Sequence, residues 1–80
     1  MTKRRRAKPR EVVGGLLRAL REESDLTQRQ LGARLGRPQY WVFLCEQGQR
    51  RIEVEEFIAW ATACAVDPMV AFDRALKSLP

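Results

Sequence analysis

Thr27-Gln28-Arg29-Gln30 has the form of a capping box, and Gly36 closes the segment that it opens. In such a box the threonine hydroxyl accepts from the third helical amide, while the glutamine side chain reaches back to the threonine N–H. Leu26 and Leu31 flank the box at the spacing of a hydrophobic staple. The helix so defined runs only to about Leu35. Isolated helices shorter than about 12 residues are marginal in water. This one must pack on neighbours, and the rest of the chain has to supply them.

It supplies them as short pieces punctuated by Pro, Gly and Asp. Pro9 predicts the start of a first helix, because its missing N–H has no partner in a first turn. Val13, Leu16, Leu17 and Leu20 follow at helical spacing, with Arg18, Arg21, Glu22 and Glu23 opposite. Gly14-Gly15 weakens that turn, and Asp25 suits the left-handed position just past the end. Pro38 predicts a third helix reaching about Gln47, with Gly48 as its stop. A fourth, from Val54 to about Ala65 behind Glu53, turns Phe57, Ile58, Ala61 and Cys64 inward. Asp67-Pro68 opens a fifth, with Met69, Phe72, Ala75 and Leu76 on one stripe. The apolar run Tyr40 to Cys45 favours strand by composition. A second strand-like segment is lacking, so a helix is the better reading there.

Charge separates the chain into two parts. The formal total is +5, yet Lys3, Arg4, Arg5, Arg6, Lys8 and Arg10 all fall in the first ten positions. The remaining seventy residues hold nine basic and ten acidic side chains, a net of −1. The expectation is a disordered basic arm over 1–8 and one helical domain over 9–80. A polybasic arm seeks polyanions, nucleic acid first and an anionic membrane surface a weaker second.

Several classes are disfavoured. With no His and only Cys45 and Cys64, neither a zinc site nor the commonest general base is at hand. Both cysteines sit among apolar neighbours and read as small buried hydrophobes. The arm is not followed by an apolar segment of signal-peptide type, and no run approaches the ~18 apolar residues of a membrane span. The expectation is a cytoplasmic protein that is not an enzyme, carries no metal or cofactor and takes no small-molecule ligand.

Leu20 to Gln28, then Leu31, Leu35-Gly36, Val42 and Cys45 to Arg50 resemble the phage-repressor-like helix-turn-helix family, the Cro/cI or xenobiotic-response-element type. The resemblance covers about residues 11–78. Its most specific pieces are Leu26-Thr27-Gln28 opening the second helix and Glu46-Gln47-Gly48 closing the third. It implies a compact, all-α, five-helix lambda-repressor-like bundle whose third helix, about 38–47, enters the DNA major groove. It also implies a sequence-specific transcriptional regulator acting by operator occupancy, bound to double-stranded DNA as a homodimer. The last helix, with Met69, Val70, Phe72 and Leu76, is the expected dimer surface.

On matching positions, Gln39, Tyr40 and Leu44 face bases, and Phe43 shares their surface. Gln39 is suited to adenine; Tyr40 and Leu44 suit thymine methyls. Gln28 is the expected phosphate contact at a helix N-terminus. Gln47, Gln49, Arg50 and Arg51 are expected along the DNA backbone, Arg50 foremost, and the arm along phosphates or a groove. Arg21 and Glu46 match a structural ion pair between the first and third helices. Trp41 is expected in the core. Phe43 and Leu44 depart from the polar or small residues usual at their positions. The rival reading therefore takes Tyr40, Phe43 and Leu44 as a docking surface for a protein partner, in an antitoxin-like module or accessory subunit on the same fold.

Overall fold

A computed structural model describes residues 8–79. Among them the chain forms five α-helices: α1 Pro9–Glu23, α2 Gln28–Leu35, α3 Gln39–Glu46, α4 Val54–Ala63 and α5 Pro68–Ser78. Residues 1–7 of the expected arm lie outside the described residues. Lys8 lies within them, and its N–H donates to the Glu11 carboxylate at 2.9 Å as α1 begins.

The helix ends follow local chemistry. The Thr27 hydroxyl accepts from the Gln30 amide at 3.1 Å, and the Gln30 side chain accepts from the Thr27 N–H at 2.9 Å. Asp67 accepts from the Met69 amide at 2.8 Å and starts α5. After α1, Asp25 takes φ 58°, so that Leu26 N–H can reach back to the Arg21 carbonyl at 3.2 Å. Ala65 does the same after α4, with φ 58° and a Val66 to Ala61 bond of 2.9 Å. Two expected boundaries shift. Pro38 is the extended residue before α3 (ψ 155°) rather than its first helical residue. The fourth helix stops at Ala63, because Ala65 turns left-handed.

α3 packs against α1 and α2, whereas α5 packs against α1 and α4. Leu16, Leu17, Leu20, Leu26, Leu31, Trp41, Val42, Cys45, Trp60, Ala61, Cys64, Ala71 and Ala75 form the core. Trp60 is its largest fully buried side chain, and its indole N–H donates to the Leu17 carbonyl at 3.0 Å. One expectation about the fourth helix is corrected. Ile58 is 46% exposed, and Trp60 fills the interior in its place. On α5 the buried residues are Ala71 and Ala75, while Met69, Val70, Phe72 and Leu76 all stand open to solvent.

Gly14 lets α1 close on α3. A Cβ there would lie 2.5 Å from the Glu46 carbonyl oxygen and 2.8 Å from that of Cys45, far inside van der Waals contact. Gly48, at φ 72°, brings the turn after α3 equally close to Glu11, where a Cβ would meet the Cα at 2.9 Å. The amino end of α1 and the carboxyl end of α3 are thereby locked together.

Candidate nucleic-acid interface

Glu46 is where three helices meet. Arg21 donates from Nε and Nη2 to its two carboxylate oxygens at 2.6 and 3.0 Å, and from Nη1 to the Leu26 carbonyl at 2.8 Å. Gln28 Nε2 donates to the same carboxylate at 3.0 Å. The Glu46 side chain is only 1% exposed. Its hydrogen bonds raise the Arg21 pKa against the opposing effect of burial, so the guanidinium stays charged. The amino end of α2 is thus tied to the carboxyl end of α3.

The residues singled out in the sequence divide into two groups. Gln39, at the first position of α3, is exposed, as are Gln47, Gln49 and Arg51 beyond its end. Tyr40 is 67% and Phe43 39% exposed, and their rings stack at 6.2 Å with 19° between planes. Lys8, Gln47, Gln49 and Arg51 line one open groove together with Arg10. Gln28 and Leu44 are half-buried, Gln28 because of its bond to Glu46. Lys3, Arg4, Arg5 and Arg6 lie outside the described residues.

Arg50 has a structural engagement that its sequence position does not announce. It donates to both oxygens of Glu56 at 3.0 and 3.3 Å, and its guanidinium stands 5.0 Å from the Trp41 ring centroid. Arg37 approaches the same ring at 4.7 Å and the same carboxylate at 3.2 Å. The Arg50 bond holds the Glu56 carboxyl below the ordinary glutamate range, with help from the Glu53 N–H. Glu56 and Trp41 thereby bind both flanks of α3 to α4. Helical spacing does not announce this cluster, because Arg37 and Arg50 lie in the turns on either side of α3.

Burial pushes the Cys45 and Cys64 thiols up, which keeps them protonated and unreactive. Among the described residues no group of three or more His, Cys, Asp or Glu side chains could hold a metal ion. No described helix is long and apolar enough to cross a membrane. What the α2–α3 unit offers is a rigid, exposed helix face with an amide at its amino end, an aromatic pair on its face and amides and cations beyond its carboxyl end.

A helix-turn-helix domain family model matches residues 12–71. Among solved structures, an XRE-family-like protein from Pseudomonas syringae pv. tomato is 32% identical. That match covers 90% of this chain and 88% of that one at a TM-score of 0.78. The restriction-modification controller protein C.AhdI from Aeromonas hydrophila is 31% identical, covering 78% and 94% at 0.71. The controller protein C.Esp1396I, solved as a tetramer with its natural 35 base-pair operator, shares the fold at 16% identity. It covers 91% and 96% at 0.79. Comparison with curated proteins gives no match.

Proposed function

Because the chain belongs to the helix-turn-helix family of DNA-binding regulators, we propose that it controls transcription by occupying an operator, with α3 in the major groove. The observation that carries this reading is the combination on α3: an exposed outer face of Gln39, Tyr40 and Phe43 over an inner face fixed by Glu46. A helix held from behind and bare in front is suited to enter a groove. Gln28 serves as the phosphate contact: its Nε2 donates one hydrogen to Glu46 and keeps a second N–H for a phosphate oxygen. Gln47, Gln49 and Arg51 lie along the adjoining backbone, and Lys8 and Arg10 extend that track toward the arm. Arg50 acts mainly through Glu56 and Trp41, setting the turn that presents its neighbours.

The working unit is a homodimer whose contact includes Met69, Val70, Phe72 and Leu76, the exposed apolar residues of α5. The tetramer of C.Esp1396I on its operator supports such an assembly. Half-sites then lie about 34 Å apart. The mechanism is occupancy in the cytoplasm, without a chemical step.

A salt series on a selected duplex tests the reading. Neutralising six to ten phosphates makes log affinity fall steeply and nearly linearly with log salt. Removing residues 1–7 flattens the slope. Binding to random duplex as tight as to any selected sequence would refute sequence-specific regulation. A monomer at every concentration in sedimentation, on and off DNA, refutes the dimer.

A further inference from the structure

α3 lacks most of the groups that pair with base edges. Arg and Lys read guanine, Asn and Gln read adenine, and Asp and Glu accept from cytosine. From Gln39 to Glu46 the helix holds no Lys, Arg, Asn or Asp. Its only charge, Glu46, is buried and bonded to Arg21 and Gln28. Gln39 alone is an exposed side chain of the bidentate kind.

In place of such groups stand Tyr40 and Phe43, one turn apart with their rings stacked. Leu44 is half-buried beside them, so the exposed apolar slab is the aromatic pair. Each ring limits the other's freedom, so less conformational entropy is lost when a ligand settles on the pair. In the major groove the apolar group that a base presents is the C5-methyl of thymine. The slab is small for a protein interface, which takes about 800 Å² from each partner. More extensive apolar exposure is on α4 and α5, at Val54, Ile58, Met69, Val70, Phe72 and Leu76.

We infer that α3 selects its site through thymine methyl groups packed on the Tyr40–Phe43 pair, with Phe43 as the specificity-determining residue. The inference rests on the DNA-binding reading above and specifies what that surface recognises. Gln39 adds one adenine contact at the amino end, and the methyls supply the remaining base discrimination. A site read in this way is rich in A·T pairs and has its contacted thymines clustered in each half.

The test removes methyls and nothing else. The full chain is used to select a site from random duplexes, and each thymine is then replaced singly by uracil, which pairs identically. One or two positions per half-site lose about threefold to tenfold in affinity, the effect of one buried methyl. Phe43→Ala weakens binding to the thymine site and abolishes the further loss from uracil at those positions. Tyr40→Ala, at the most exposed ring, gives the same convergence and serves if thermal melting shows Phe43→Ala unfolded. Gln39→Ala retains the uracil penalty. A fully uracil-substituted site that binds as well as the thymine site, and better than random duplex, overturns methyl recognition and leaves DNA binding standing. A uracil penalty undiminished in both aromatic variants overturns the assignment to this pair. Failure to prefer any duplex overturns the regulator reading itself.

Discussion

Arg21 on α1 and Glu46 on α3 form a two-pronged ion pair across 25 positions of sequence, with both side chains almost entirely buried. A buried pair contributes little beyond what well-packed apolar residues would, yet losing one member leaves an uncompensated charge. Glu46→Ala is expected to cost about 3–5 kcal/mol in urea denaturation. Arg21→Met should cost a similar amount, and the double variant less than the sum of the two. Additive costs would show that the two charges are not coupled.

Gly14 and Gly15 are adjacent in α1 and should respond oppositely to alanine. A Cβ at Gly14 runs into the backbone carbonyls of Cys45 and Glu46, while one at Gly15 meets nothing within 4 Å. Gly14→Ala is expected to destabilise by about 1–3 kcal/mol through overpacking. Gly15→Ala should stabilise by up to about 1 kcal/mol through helix propensity. Thermal melts of the two variants on the same side of the parent would contradict the close approach of α1 and α3.

The two tryptophans differ in what their indole nitrogens do. Trp60 Nε1 donates to the Leu17 carbonyl, whereas buried Trp41 Nε1 has no hydrogen-bond partner among the described residues. Trp60→Phe therefore removes a buried hydrogen bond to a carbonyl that the α1 ladder also engages, and with the lost ring contacts is expected to cost at least about 1 kcal/mol. Trp41→Phe removes a buried donor that was unmet already, so its loss comes from ring contacts with Arg37, Arg50 and Trp60 and should be the smaller. Equal losses would count against this distinction.

Glu56 ties acid stability to the α3–α4 clamp. Its folded pKa is lowered by Arg50 and by the Glu53 N–H, so the unfolded chain binds its proton more readily. The stabilisation is fully present above the ordinary glutamate range and is lost as pH falls through the lower folded value. Glu56→Gln should flatten the acid limb of a stability–pH curve. Glu23 is also lowered, by Arg74, but that pair stands in solvent, so Glu23→Gln should change the curve much less. The reverse order of the two effects would contradict the placement of Glu56 between Arg37 and Arg50.

Helix order and most helix ends were legible in the sequence because they rest on local chemistry: the Thr27 box, Asp67-Pro68, and Asp25 and Gly36 past their helices. The partners of α4 were less so. Its apolar residues, from Val54 through Phe57, Ile58, Trp60 and Ala61, surround the helix rather than striping it. Periodicity therefore cannot say that Trp60 points in and Ile58 out; contact with α1 decides it. Ala65 in a left-handed turn carries no signal, since alanine has no side chain to favour that conformation. On the candidate surface, residue types and the family resemblance pointed to Gln39, Tyr40 and Phe43, all three exposed in the structure. They could not reveal that Arg50 is occupied by Glu56, because that pairing requires the turn after α3 to fold back on α4.

The lock at Glu46 and Gly14 has a consequence for the duplex. With α3 held against both α1 and α2, adjustment between imperfectly matched surfaces falls to the more compliant body. A double helix yields most easily at pyrimidine–purine steps, and the energy needed depends on base sequence. Selectivity should therefore extend to base pairs that no side chain touches, through the curvature they permit. Permuted-fragment bending assays would register that contribution as a bend, and an affinity, that change when the uncontacted steps are varied while the contacted bases are held constant.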